Sequence, residues 1–369
     1  MQQVNLPSDT LIQGTSVKKI LLSLLLIFSA ITHNGYAEAS SPIQDKQILL
    51  KQAQDGQMEA QFNLAMLYQS ENKLSEAAKW YQLSAEQGFT KAQINLALMY
   101  QQGKGVSKNN EQMLYWMKKA ADAGDPLGQL NMAEYTLAGI DKLLPKNKQQ
   151  AEEWLVKAAA QRFQPAELML AYWYEKGIAA TEDAQKAQQI YLALAKQNQP
   201  QALYLLGYQA ATGMYDKVNY AQAYQYFSRS AQLGFSPAQN SLGMLYLHGQ
   251  GITKDVPSAI KWLTLASEQG EISAQFNLAL IYARGDGVKA DQAKACHWFI
   301  RAAQHGSTDA QYASGACYQY GMGVTQDDRK ALYWYKLAAA QGNERAEKKV
   351  LILETILKNS VYCLLVGYQ

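Results

Sequence analysis

Residues 310–342, AQYASGACYQYGMGVTQDDRKALYWYKLAAAQG, contain the pattern that decides the fold. Small and apolar residues recur at intervals of three and four on both sides of a glycine pair, a spacing typical of amphipathic helices. Gly321 and Gly323 interrupt the pattern, because glycine adopts backbone angles that other residues avoid. Asp327 has the position of an N-cap, and Gly342 that of a glycine that ends a helix. The stretch therefore predicts two antiparallel helices joined by a glycine turn.

The same hairpin recurs along most of the chain. A hinge residue, which is a glycine or once an arginine, follows six regularly spaced tryptophans after eight residues: Trp80, Trp116, Trp154, Trp262, Trp298 and Trp334. Ile190 and Tyr226 occupy the tryptophan position in the two units between. Counted from Gly56, the hinges are 32, 36 and 38 residues apart and then 36 residues apart five times, which gives eight units. A period of this length is typical of solenoid proteins.

Two positions of each unit explain how the hairpins would stack. The ninth residue after each hinge is always alanine or glycine, which lets two helix backbones approach closely. The twelfth residue is tyrosine in six units, and these tyrosines, with the tryptophans, are expected to fill the space between hairpins. One hairpin alone cannot bury both of its faces, so each needs its neighbours. The pattern predicts an all-α superhelix in which each hairpin contacts the next.

The pattern Ala-x-Tyr-x-Leu-Gly-x-x-Tyr-x-x-Gly-x-Gly-Val-x-x-Asp, followed by Lys-Ala-x-x-Trp-Tyr-x-x-Ala-Ala-x-x-Gly, resembles the Sel-one-like repeat (SLR) family, a relative of the tetratricopeptide repeat. This sequence matches it from Ala310 to Gly342, with Ser314 where the family usually has leucine. The resemblance implies a right-handed superhelical α/α solenoid of about eight 36-residue helix-turn-helix repeats. It also implies a role in scaffolding protein complexes.

The first 37 residues have the features of a secretory signal peptide. Lys18 and Lys19 precede an apolar run at 20–31, which as a helix is too short to cross a membrane. Small residues that suit cleavage follow as far as Ala37. An uncleaved membrane anchor is the alternative.

The remaining chain is predicted to be one array between two caps. The expected organisation is a signal peptide at 1–37, an N-terminal capping helix at 43–55, eight repeats at 57–342, and a C-terminal capping helix and tail at 343–369. The apolar tail is expected to fold onto the last hairpin, with a partner-binding strand or a poorly ordered tail as alternatives.

Charge balance and motif content argue against several function classes. The chain has 34 basic and 31 acidic residues, without the strong basic excess of a nucleic-acid binder. No phosphate loop or nucleophile elbow is present, and the Gly-x-Gly turns follow predicted helices rather than strands. His297 and His305 lack a second pair at ligand spacing and are interpreted as surface residues. We therefore predict no catalytic residues, no metal site and no cofactor.

Cys296 and Cys317 lie near ends of neighbouring predicted helices that should meet. An oxidising export compartment would allow a disulfide between them. We favour two buried thiols and keep the disulfide as the alternative.

The first helices should line the concave face of the superhelix. By analogy with tetratricopeptide arrays, the sixth, tenth, thirteenth and fourteenth residues after each hinge face inward. The candidate protein-binding residues are Glu134, Tyr172, Glu175, Lys176, Tyr204, Tyr208, Met244, His248, Arg284 and Tyr320. Aromatic residues with a few charges suit an extended or helical protein segment. The alternative is that several of these residues complete the core.

The sequence favours an exported, non-enzymatic adaptor that holds a protein partner along this groove. The resemblance implies a place in bacterial envelope assembly, signalling or host interaction. The expected location is the periplasm or the medium, with no stable membrane span after signal cleavage and no nucleic-acid partner. The alternative is an accessory protein that binds a glycan or cell-wall polymer by stacking tyrosines on sugars. An enzyme is the least favoured hypothesis.

Overall fold

The computed structural model describes residues 42–178 and 182–366, with side chains over 46–178 and 182–358. The predicted signal peptide lies outside these residues, so its cleavage stays a prediction. Among the described helices, none combines the length and apolar character that crossing a membrane requires.

Over the described residues the backbone forms eighteen α-helices and no strand. A single helix, α1 (Pro42–Gln54), precedes the hairpins. The first helices of the eight hairpins are α2 (Met58–Ser70), α4 (Thr90–Gln102), α6 (Pro126–Ala138), α8 (Gln164–Lys176), α10 (Pro200–Thr212), α12 (Ser236–His248), α14 (Ile272–Arg284) and α16 (Thr308–Tyr320). Their second helices are α3 (Leu74–Glu86), α5 (Asn110–Asp122), α7 (Lys148–Ala160), α9 (Ala184–Lys196), α11 (Tyr220–Gln232), α13 (Val256–Glu268), α15 (Gln292–Gln304) and α17 (Asp328–Ala340). The closing helix is α18 (Glu344–Val366).

The helices form two compact units, one ending at Ala193 and one beginning at Leu194, so that the boundary falls inside α9. In the first unit each helix from α1 to α8 packs against the next, and α4 also contacts α6. In the second unit each helix from α10 to α18 packs against the next. Contact between consecutive helices is what an α-solenoid of stacked hairpins requires, and the predicted fold class is confirmed.

The helix boundaries follow the residues that the sequence marked. The predicted N-cap Asp327 accepts a backbone N–H group three residues further on, and the same position in other hairpins caps its helix in the same way, at Asn109, Asp255 and Asp291. At the hinge before α18, Gly342 has a φ of +84°, which glycine tolerates without strain. Arg162 and Asn198 take the hinge position in two hairpins at φ values of +59° and +58°. These hinges therefore hold a left-handed conformation that glycine adopts more readily.

The closest approach within a hairpin occurs at the small ninth residue. A Cβ atom on Gly315 would lie 2.6 Å from the ring of Tyr335, and one on Gly207 would lie 2.7 Å from the ring of Phe227. The partner is the residue seven before the next hinge, and it is at most 5 % exposed in every hairpin: Tyr81, Met117, Leu155, Tyr191, Phe227, Leu263, Phe299 and Tyr335. These deeply buried side chains thus lie on the second helices, each directly after the tryptophan position in sequence, and not at the predicted tyrosine position on the first helices.

A buried glutamine joins three helices in most of the repeats. This residue, the fifth after the hinge, donates its amide N–H to a carbonyl at the end of the preceding helix, as Gln275 does to Ser267 at 3.0 Å. Its amide oxygen accepts from the last residue before the next hinge, as Gln239 does from Gln269 at 2.7 Å. We call this arrangement the glutamine bridge. The donating glutamines are Gln61, Gln93, Gln129, Gln239, Gln275 and Gln311.

The C-terminal tail continues the closing helix. The sequence predicted a capping helix followed by a separate tail within 343–369, whereas α18 has 23 residues and extends to Val366. The tail was expected to fold onto the last hairpin, and its backbone forms the last turns of α18 instead.

Cys296 in α15 and Cys317 in α16 are joined as a disulfide in the structure, with Cα atoms 6.0 Å apart. Both residues are 1 % exposed. The packing of the two helices thus permits the bridge, which was the alternative to the favoured pair of buried thiols. Its formation depends on an oxidising compartment, which stays a prediction.

Candidate functional site

In each of the two units the first helices of the hairpins carry an accessible stripe, which we call the first-helix face. It consists of the tenth and fourteenth residues after each hinge, which are four apart and therefore lie on one side of a helix. The tenth residue is half-buried in seven hairpins and buried only at Ala316. The fourteenth residue is exposed in all eight. This is the face that the sequence predicted to be concave.

In the first unit, two of the four predicted site residues, Glu134 and Tyr172, are half-buried on this face. Lys176 is exposed, and its ammonium group lies 2.7 Å from the carboxylate of Glu175. The side chain of Glu175 is only 6 % exposed and accepts a hydrogen bond from Tyr191 at 3.0 Å. Glu175 therefore acts within the hairpin rather than on its surface, as the core alternative anticipated.

In the second unit, the predicted residues separate in the same way. Tyr204 is 5 % exposed, and its ring packs against Phe227 and Phe235 at centroid distances of 5.6 and 5.5 Å. The surface assignment of Tyr204 is therefore wrong, because its side chain belongs to the core. The remaining predicted residues are half-buried or exposed on the first-helix face: Tyr208, Met244, His248, Arg284 and Tyr320.

The thirteenth residue after the hinge forms a polar partner for a buried tyrosine. Tyr81 donates its hydroxyl hydrogen to Gln69 at 2.8 Å, and Tyr335 donates to Gln319 at 3.0 Å. In four of the five hairpins where the residue seven before the next hinge is apolar, the thirteenth residue is apolar too, as Ala211 is opposite Phe227; the exception is Gln101 opposite Met117. This matched change of two positions was visible in the sequence and would have identified Glu175 as an internal residue.

Glu134 is a carboxyl group with no hydrogen bond or ion pair in the described part of the chain. Burial raises its pKa to about 7, and no neighbouring group contributes to the shift or offsets it. The charge of Glu134 in turn raises the pKa of Tyr135, as does burial of that phenol, which is the larger cause. At neutral pH the carboxyl of Glu134 therefore titrates on an accessible face.

His248 lies at the fourteenth position of its hairpin. Partial burial and the charge of Lys254 lower the pKa of its imidazole, and Asp286 opposes this effect. The imidazole is therefore mostly neutral at neutral pH and can both donate and accept a hydrogen bond.

Tyr320 lies at the fourteenth position of the last hairpin. It is 53 % exposed and accepts a hydrogen bond from Lys349 at 2.7 Å. The face thus offers polar and aromatic groups without a reactive pair.

A surface pocket of about 710 Å³ lies around the loop between α14 and α15 in the second unit and is lined by Tyr282 and Lys289, among others. Lys294 of this pocket already has partners, because it lies 3.6 Å from the N-cap Asp291 and 5.2 Å from the centre of the Tyr282 ring. Equivalent tyrosine, lysine and aspartate contacts recur in two other hairpins, so we assign the contact to loop closure.

Across the described residues, no group of three or more histidine, cysteine or acidic side chains is arranged to hold a metal ion.

The hairpin array and its open first-helix face define a helical-repeat protein of the class that binds other proteins. The family model for the Sel1 repeat matches eight consecutive segments: residues 59–89, 90–125, 126–163, 164–199, 200–235, 236–271, 272–307 and 308–343. The chain belongs to the Sel1 repeat family, whose members are typically protein-interaction scaffolds and generally not catalytic.

Curated relatives resemble parts of the chain. Chitin synthase regulatory factor 3 of Schizosaccharomyces pombe is 30 % identical over 89 residues, which are 24 % of this chain and 10 % of the relative. Activator of C kinase protein 1 of Saccharomyces cerevisiae is 29 % identical over 92 residues, 23 % of this chain and 15 % of the relative. An uncharacterised protein of Neisseria meningitidis is 27 % identical over 178 residues, 48 % of this chain and 37 % of the relative. The chain thus spans well under half the length of each.

Two solved structures share the fold over most of the chain. A Sel1 repeat protein from Oxalobacter formigenes is 26 % identical with a TM-score of 0.61, over 88 % of this chain and 99 % of that one. A protective antigen of uropathogenic Escherichia coli with an SLR fold is 27 % identical with a TM-score of 0.50, over 85 % of this chain and 75 % of that one.

Proposed function

We propose that this protein is an exported, non-enzymatic adaptor that holds a protein partner along the first-helix face. The observation that carries the proposal is the row of half-buried side chains at the tenth position, which includes Tyr172, Tyr208 and Met244. Half-buried aromatic and methionine side chains are anchored on one side and still offer apolar area to a partner. Rigid helices fix their positions, so binding orders little of the receptor.

The location and pathway belong to the same proposal. The basic, apolar and small-residue segments within the first 37 residues support export to the periplasm or the medium. An accessory role is supported by the relative named chitin synthase regulatory factor 3, and contact with a host is supported by the similar structure of a protective antigen. We propose a part in envelope assembly, signalling or contact with host cells.

A glycan or cell-wall polymer is the second candidate ligand. It is favoured by exposed tyrosine rings such as Tyr320, because sugars stack on aromatic faces. Protein binding is preferred, since the tenth-position row also contains aliphatic and methionine side chains that suit apolar contacts.

The double variant Tyr172→Ala/Tyr208→Ala tests the proposal in the native envelope after chemical cross-linking and mass spectrometry. We expect loss of captured protein, with pull-down by purified cell-wall polymer unchanged. The matched control is Tyr333→Ala, which removes a tyrosine that is 58 % exposed on a second helix. Loss of polymer binding alone would support the second candidate, and capture of no protein by the parent chain would contradict the adaptor.

A further inference from the structure

Glu134 is the tenth residue after the hinge in the third hairpin. It is the one acidic residue among the tenth residues of all eight hairpins. Its neighbours along the accessible side of α6 are three, four and seven residues away, namely Asn131, Ala138 and Leu127. None of them carries a charge. The exposed side of this helix therefore gives the carboxylate no electrostatic partner.

The neighbouring first helices also leave Glu134 without a cation. The tenth residues of α4 and α8 are Leu98 and Tyr172, and both are half-buried. The fourteenth residue of α4 is Gln102, which is uncharged. The ammonium group of Lys176, at the fourteenth position of α8, is 2.7 Å from Glu175 and so already has its counter-ion. Glu134 thus lies in a stripe that is apolar on both sides.

The carboxyl of Glu134 is partly removed from water, and no group in the described chain replaces the lost hydration with a hydrogen bond or an ion pair. Burial alone moves its pKa upward, without the contribution of a donor or cation. A half-buried, unpaired carboxylate gains more free energy from an ion pair with an incoming cation than an exposed carboxylate does. Part of its desolvation has already occurred on folding. Its remaining accessibility lets a partner reach it.

We propose that Glu134 receives a lysine or arginine side chain of the partner, and that apolar side chains flanking this cation lie against Leu98 and Tyr172. The inference rests on the proposed function and adds the chemistry of the ligand. The ligand is a protein segment in which a basic residue stands between apolar residues. The cation supplies the missing counter-charge, and the apolar neighbours exclude water from the ion pair.

The first test selects ligands from a random peptide library displayed on phage, with the full-length chain as the target. We expect enriched peptides to carry lysine or arginine at one fixed place between apolar residues. Synthetic versions of these peptides should bind Glu134→Gln about 10- to 100-fold more weakly than the parent chain. The matched control is Glu153→Gln, which changes an exposed carboxylate on α7, the second helix of the same hairpin. It should leave the affinity unchanged.

The outcomes separate the inference from the proposed function. Peptides that depend on Tyr172 but carry no basic residue, or that bind Glu134→Gln as well as the parent, would overturn the inference and keep the adaptor. If no peptide is enriched, or if every enriched peptide binds Tyr172→Ala unchanged, both ideas fail.

A charge exchange gives the second test. Replacing the basic residue of the tightest peptide by glutamate should abolish binding to the parent chain. The same peptide should regain at least 10-fold in affinity for Glu134→Lys over its affinity for the parent. Absence of this recovery would show that Glu134 does not contact the basic residue.

Discussion

At the scale of single residues, the partial burial of Glu134 has a thermodynamic consequence. Its pKa is about 7 in the folded protein, against an ordinary value near 4.5. At pH values between these two pKa values, the Glu134 carboxyl is protonated in the folded protein and ionised in the unfolded chain. Stability is therefore highest below the ordinary pKa and falls as pH rises to about 7, after which it is constant.

Glu134→Gln should remove this pH dependence. We expect equal stability of the variant and the parent near pH 4, and a gain for the variant of about 1–3 kcal/mol at pH 8. Urea denaturation followed by circular dichroism at the two pH values measures the difference. A gain of the same size at both pH values would contradict the titration of this group.

The hydroxyl of Tyr191 gives a second residue-scale prediction. Tyr191 is fully buried and donates to Glu175, so Tyr191→Phe leaves that carboxylate short of a partner. We expect a loss of about 1–2 kcal/mol in the free energy of unfolding. The double variant Tyr191→Phe/Glu175→Ala reproduces the Phe227 and Ala211 pair of the next hairpin and should lose less than the sum of its single changes. Strictly additive losses would show that the two residues act independently.

At the scale of elements, one glutamine bridge is incomplete. The amide oxygen of Gln93 is buried and accepts no hydrogen bond within the described residues. In four other hairpins a glutamine just before the next hinge makes this bond, whereas here the position is Ala123. The end of α5 thus lacks a side-chain bond to α4.

Ala123→Gln should complete the bridge and stabilise the first unit by about 0.5–1.5 kcal/mol. Thermal unfolding measures the gain as a rise in melting temperature. Ala123→Leu is the control, since leucine adds similar volume without a donor and should give no such rise. An equal rise for both variants would assign the effect to apolar contact rather than to the hydrogen bond.

Helix periodicity explains which site predictions failed. The sixth, ninth and thirteenth residues after a hinge lie on one stripe, and the tenth and fourteenth lie on the next. The first stripe faces the second helix, so Tyr204 and Glu175 are internal, while Tyr172 and Arg284 stay accessible. The sequence prediction placed both stripes on the surface. The analogy with tetratricopeptide arrays indicates which repeat positions to choose, but not which of them point toward the second helix in this chain.

The hairpins and their boundaries could be predicted because local signals specify them. Glycine at a positive φ, an acidic N-cap and small residues at close contacts each act within a few residues of where they stand. The glutamine bridge could not be predicted from these signals, because its partners are about 30 residues apart and meet only after the helices have packed. The length of α18 was missed although the sequence marks its end, because Gly367 directly follows Val366 and no glycine or proline interrupts 358–366.

At the scale of the whole molecule, contact between consecutive helices makes stability local. The disulfide between α15 and α16 links residues 21 positions apart, a loop whose closure is worth about 3 kcal/mol. If the protein forms this bridge in its native compartment, reduction should increase hydrogen exchange in α14 to α17 and leave α2 to α5 unchanged. Mass spectrometry of peptides after exchange measures this, and Cys296→Ser/Cys317→Ser should show the same pattern without reductant. Increased exchange in both units would indicate global rather than local stabilisation.

The glutamine bridge also bears on how such an array changes its copy number. Both side chains of a bridge belong to one repeat, while the acceptor in the preceding repeat is a backbone carbonyl that any sequence provides. A whole repeat can therefore be duplicated or deleted by recombination without the loss of a glutamine bridge, although a pair that crosses a junction, such as Cys296 and Cys317, would be separated. Each such event lengthens or shortens the binding surface by one hairpin, which allows ligand length to be altered in a single genetic step.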